Sequence, residues 1–174
     1  AGAPLVVYFY NEVVWTGVIK RLAISPSLKC AGEVNVKIQG EDILHKLENR
    51  NVHTAVFEYC KAELLFENYF HSVFEATKSV ADRLRKLTGL YADGNALVET
   101  AFSTTNPLIK INNLLTDTDR SEHIGLCNLI KGVFGLIRNP TAHQPKIKFE
   151  ITEEEALDIL NTISYIHKRL DKAL

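Results

Sequence analysis

"HSVFEATKSVADRLRKLTGL", residues 71–90, is the stretch that decides the fold. With Phe70 just before it, Val73, Phe74, Thr77, Val80, Ala81, Leu84 and Leu87 recur at steps of three and four residues. An α-helix turns once in about 3.6 residues, so these side chains make one stripe facing a core. Gly89 suits the C-cap, because a left-handed helix end favours a residue without a Cβ. His71, Glu75, Lys78, Asp82 and Arg85 step by four, three, four and three along the same helix. Charges so spaced pair along a solvated face. The same stripe makes His71, Glu75 and Lys78 candidates for the wall of a functional cleft.

Working outward, "TAVFEYCKAELLFENYF" (54–70) predicts one helix continuous with this one, or two with a joint near Asn68. "EDILHKLENRN" (41–51) predicts a short helix stopping near Asn49–Asn51, and "ADGNALVETAFS" (92–103) another. "NPLIKINNLLTD" (106–117) reads as a loop with a short strand. "TDRSEHIGLCNLIKGVFGLIRN" (118–139) is a main helix, with Asp119 and Glu122 as its D-x-x-E start signal. In the last segment, Thr152 and Glu155 fit a capping box, and Ala156, Ile159, Leu160, Ile163, Ile166 and Leu170 share one apolar face. The expectation is an all-α bundle of four or five helices over residues 41–174. Residues 1–40 form a small β-rich or irregular segment with strands near 5–10 and 13–20, closed around Gly32 and Gly40.

At 174 residues, 46% apolar and 24% charged, the chain buries a core without staples. A net charge of −1 argues against a surface basic all over, and leaves room for a local basic patch. Cys30, Cys60 and Cys127 are far apart and odd in number, with no C-x-x-C pair, so neither a disulfide framework nor a zinc site is indicated. A reducing cytoplasm is the expected compartment. The N-terminal apolar run is interrupted by Pro4, Asn11, Glu12 and Gly17, which favours strands over a membrane span. No basic residue precedes it, as a signal peptide would require. With no Met even at position 1, the chain is expected to start inside a longer protein or to lack its first residues.

The chemistry gathers in "IRNPTAHQPKI", residues 137–147. On an unbroken helix Arg138 and His143 would lie about 140° apart around the axis. Pro140 lacks an N–H and disfavours the α conformation at Asn139, so the helix is expected to end or kink there. Asn139 and Pro140 also suit the first two positions of a new turn, which would present free N–H groups from Thr141 onward. N–H groups beside an Arg suit a phosphate, and a His suits proton transfer. The chemistry needing all three is RNA backbone cleavage. A plainer reading stands beside it: an Arg at a helix C-terminus complements the dipole, and Asn-Pro is a common turn. Between Glu122 and Glu150 there is no acid, while Lys131, Arg138, Lys146 and Lys148 fall inside, a local positive stretch. Gly125, Gly132 and Gly135 lie near one side of the helix that leads there. Each costs helix stability, so another backbone, from this chain or a second copy, is expected to approach closely. There is no H-E-x-x-H, P-loop or G-x-G-x-x-G, so no metal, nucleotide or dinucleotide cofactor is expected.

"NYFHSVFEATKSVADRLRKLTGL", "DGNALVETAFS", "NPLIKIN", "NLIKGVFGLIRNPTAH" and "EEEALDILNTISYIHKRLD" together resemble the bacterial Ymh-type branch of the HEPN superfamily (higher eukaryote and prokaryote nucleotide-binding domains). The resemblance covers roughly residues 48–172, and "RNPTAH" fits its Arg-x(4–6)-His motif. It implies a helical bundle that dimerises so that two motifs meet across one cleft. Many members are metal-independent endoribonucleases, often toxins or phage-defence effectors. By position, His143 would be the general base or acid at the ribose 2′-OH. Arg138 would stabilise charge on the phosphorane, and Asn139 would position the phosphate or the His. Thr141, Glu75, Lys78, His71 and Lys131 are the supporting candidates, with Glu75 placed to orient His143 or pair with Arg138. The expected partners are RNA and a second copy of the chain, with an antitoxin or a sensor domain as further candidates. Inactive members of the superfamily leave a second reading: a dimeric module that binds RNA, a nucleotide or a partner protein without turnover.

Overall fold

The computed structural model describes residues 43–139 and 150–174 with their side chains, and the backbone of residues 4–9, 12–18, 22–25 and 35–38. The latter form two antiparallel hairpins. β1 (Pro4–Phe9) pairs with β2 (Glu12–Val18), and β3 (Leu22–Ser25) pairs with β4 (Asn35–Ile38). The first hairpin falls where β-branched and aromatic residues predict strands. The second was not anticipated.

From Ile43 onward the described chain is helical, and the all-α expectation holds for it. Six helices occur instead of four or five: α1 (Ile43–Asn49), α2 (Thr54–Leu65), α3 (Tyr69–Thr88), α4 (Gly94–Ala101), α5 (Asp117–Val133) and α6 (Glu153–Leu170). A π-helical turn, Phe134–Arg138, extends α5. The count rises because α2 and α3 separate, the second of the two arrangements expected there, with Glu67 at a positive φ of 54° just before Asn68. The segment 106–116 contains no strand.

α3 is the hub, packing against α2, α4, α6 and the π turn, while α6 also touches α1 and α2. Its apolar stripe is buried at Phe70, Val73, Thr77, Val80, Ala81 and Leu84. Leu87 departs from the stripe and is 49% exposed, since it lies in the last turn beyond the packed neighbours. Gly89 closes α3 in the left-handed conformation at φ 73°, its N–H donating to the Arg85 carbonyl. On α6 the predicted face is buried except for half-buried Ile159, and the Thr152–Glu155 capping box is formed. The start of α5 differs from expectation. Thr116 and Asp119 make the capping box, while Glu122 bonds instead to Asn112 and Arg169. A threonine hydroxyl at the N-cap reaches the third N–H directly, which Asp119, one turn inside, cannot do for its own turn.

Candidate functional site at the end of α5

α5 brings Lys131 and then Arg138 to the end of one long helix, and α4 meets them with acids. Lys131 pairs with Glu99 at 3.2 Å, and Arg138 pairs with Asp93 through Nη2 and Oδ2. Sequence number rises along α4 as it falls along α5, so the two helices run antiparallel at this contact. Both side chains reach the α4 side of this helix, as the two ion pairs show.

The π turn sets how Arg138 is presented. Asn139 donates its N–H to the Phe134 carbonyl, five residues back, and keeps a right-handed helical conformation (φ −66°, ψ −48°). The expectation that Asn139 leaves the α region is therefore corrected, and so is its role as N-cap, which requires an extended backbone. A widened turn accommodates a proline that follows, because it moves the carbonyl that the ring would otherwise crowd. The extra residue per turn also rotates Arg138 away from the position a regular α-helix would give it. Its guanidinium lies 5.9 Å from the centre of the buried Phe134 ring, and its side chain is 23% exposed.

Asp93 receives a second guanidinium. Arg85, the last member of the polar stripe on α3, places Nη1 3.3 Å from Oδ1 while Arg138 takes Oδ2. Burial raises the Asp93 pKa, but the Gly94 N–H, Arg138 and Arg85 outweigh it and hold the carboxyl below its usual range. Gly94 itself has φ 58°, a turn that L side chains strain to adopt, and a Cβ there would sit 4.0 Å from Arg138 Nη1. The chain thus enters α4 directly beside the guanidinium.

The other candidates divide. Glu75 and Lys78 pair with each other at 2.7 Å, and Lys78 also lies 4.8 Å from the Phe74 ring centre. Glu75 is ten residues, about 15 Å of helix, from Arg85. Arg85, rather than Glu75, therefore reaches the carboxylate that holds Arg138. His71 is exposed, edge-on to the Phe70 ring at 5.2 Å. Asn139 is exposed beside Arg138. Thr141 and His143 lie outside the described residues, as do Pro140, Lys146 and Lys148. Sequence reasoning missed Asp93, Glu99 and the part played by Arg85. The available signal was Asp93-Gly94 at a helix start, which reads as an ordinary cap until α5 is seen beside it.

The helical glycines raise a separate point. A Cβ added at Gly125, Gly132 or Gly135 meets nothing within 4 Å, so among the described residues no backbone approaches them. They share an exposed strip with Asn128 and Leu136, the latter 71% exposed. Among the described residues no group of His, Cys, Asp or Glu could hold a metal ion, and no helix is long and apolar enough to cross a membrane. Cys60 and Cys127 are buried free thiols, and burial pushes Cys60 up to about 12.

The family model Hypoth_Ymh, described as a protein of unknown function, matches residues 50–170. No curated protein and no solved structure matches the chain.

Proposed function

Because the chain belongs to the Hypoth_Ymh family, whose description assigns no activity, we propose its function from the site: a metal-independent endoribonuclease of toxin or phage-defence type, built on an HEPN-like bundle and acting as a homodimer. The observation that carries the reading is Arg138, held half-buried at the end of α5 by Asp93 and five residues before His143. A guanidinium fixed before substrate arrives suits charge that develops on a phosphorane, since it needs little reorganisation as the reaction proceeds.

In this reaction the 2′-oxygen of a ribose attacks the adjacent phosphorus and the P–O5′ bond breaks. The products are a 2′,3′-cyclic phosphate and a 5′-OH, and no water is consumed. One proton leaves the 2′-OH and one reaches the 5′-oxygen. His143 from each of two copies would serve these transfers, and Asn139 would help seat the phosphate. Glycine positions open to solvent along α5 support the dimer, because they offer a second backbone close approach.

One observation favours a binding module instead: the ion pair with Asp93 already engages Arg138, as a structural arginine would be. Cleavage of labelled single-stranded RNA in EDTA separates the two. Wild type should cut and leave cyclic-phosphate ends, while His143→Ala and Arg138→Ala, folded as wild type, should lose about 100-fold or more in rate. A folded wild type that binds RNA but cuts none across varied sequences would establish the binding module.

A further inference from the structure

We propose that Asp93 is the positioning residue for Arg138 and that Arg85 is the counter-charge that keeps the cluster attractive to phosphate. The proposal rests on the nuclease reading and deepens it. Arginine reaches its target through a long, freely rotating stem, so a lone guanidinium at a helix end would arrive at the phosphate in many orientations. Here one carboxylate oxygen binds Nη2, and a Cβ added at Gly94 would stand 4.0 Å from Nη1. The guanidinium is thereby tethered at the start of α4, an element the motif itself does not include.

A carboxylate beside a phosphate-binding arginine brings a cost, since Asp93 alone would cancel the charge that the substrate needs. Arg85 removes that cost. It binds the other carboxylate oxygen at 3.3 Å, so two guanidinium groups share one carboxylate and the trio carries a net single positive charge. Arg85 and Asp93 are 36% and 49% exposed, open enough for a polyanion to approach and for salt to screen them. The roles then differ in kind. Asp93 acts on the geometry of Arg138 and so on turnover, while Arg85 acts on the field and so on substrate capture.

The experiment measures kcat and KM on labelled RNA in EDTA for wild type, Asp93→Ala, Asp93→Asn, Arg85→Ala, Arg138→Ala and the Asp93→Ala/Arg138→Ala double variant. Binding of the same oligomer with 2′-deoxy sugars, which cannot be cut, is followed by fluorescence anisotropy. Asp93→Ala should lower kcat by about 10-fold or more without weakening deoxy-oligomer binding, because it removes an orienting contact and a negative charge together. The double variant should be no slower than Arg138→Ala alone, because Asp93 has no other route to the reaction. Arg85→Ala should raise KM and weaken deoxy-oligomer binding, with an effect that shrinks as salt rises. Asp93→Asn, which keeps the shape and one acceptor oxygen, guards against misfolding of the alanine variant and should also be slowed. A wild-type or faster kcat in both folded Asp93 variants overturns the proposal while leaving the nuclease reading intact. So does a double variant slowed by the product of the single effects. A wild type that does not cleave overturns the nuclease reading and this proposal together.

Discussion

His167 of α6 is 1% exposed against α3, where a charged imidazole would lose its hydration. Burial, then the neighbouring His53 and Arg83, lower its pKa from 6.5 to about 4. The hydrogen bonds agree with a neutral ring. Arg83 Nη1, which can only donate, faces Nδ1 at 3.4 Å, so Nε2 carries the proton and meets Ser79 Oγ at 2.8 Å. His53 stacks on it at 5.1 Å, accepts from the Ala55 N–H at Nδ1, and turns Nε2 to Asp171 at 3.1 Å. A folded-state pKa below the unfolded one means that the unfolded chain takes up the proton first as pH falls. Stability is therefore full above about pH 6.5 and is lost progressively down to about pH 4, on the order of 3 kcal/mol for this residue. His123, lowered by its own burial, adds in the same direction. Urea midpoints at pH 7.5, 6 and 5 should fall in that order for wild type, and the decline should be shallower in His167→Gln. A flat series would show that the folded ring takes up its proton over the same pH range as the unfolded chain. The sequence marks none of this, since His53 caps α2, Ser79 and Arg83 sit on α3 and His167 sits on α6, and they meet only when those helices pack.

Helix α5 shows the same limit at the scale of an element. Its length and Lys131, Arg138 and Asn139 are readable from periodicity, yet the glycines pose a question that the folded chain answers only in part. Alanine at Gly132 would enter open space and favour the helix by about 1 kcal/mol. The expected outcome for Gly132→Ala is a higher urea midpoint at low concentration together with a weaker dimer by sedimentation, if a second copy lies against this strip. An unchanged dimer with higher stability would place the dimer contact elsewhere. The cap of α6 was fully legible, because a capping box is local: Thr152 Oγ1 accepts from the Glu155 N–H at 3.2 Å, and the Glu155 carboxylate accepts from the Thr152 N–H at 2.9 Å. Thr152→Ala should cost about 1 kcal/mol, read as a fall in the thermal midpoint. The π turn was not legible. Within it Phe134 is 1% exposed in the shared core, a placement no local pattern specifies.

Among the described residues the helices share one buried core, and α6 packs on α1, α2 and α3. Leu160 is fully buried within it. Leu160→Ala should cost about 2–5 kcal/mol through lost transfer energy and a cavity, a large share of a typical domain's stability. Denaturant unfolding that remains a single transition with a lowered midpoint is the expected result; two separate transitions would show that α6 is not part of one cooperative unit. By itself the sequence determined the helical class, the apolar faces of α3 and α6 and the candidacy of Arg138, because periodicity and caps depend on residues within a turn or two of each other; whether α2 and α3 separate near Asn68 it left open. Only the tertiary structure decided which acid meets which base. Asp93 is 45 positions from Arg138, and Glu99 is 32 positions from Lys131. Side-chain pairs of that kind are chosen by how helices dock, and docking is set by the shape of the shared core, which no single segment contains.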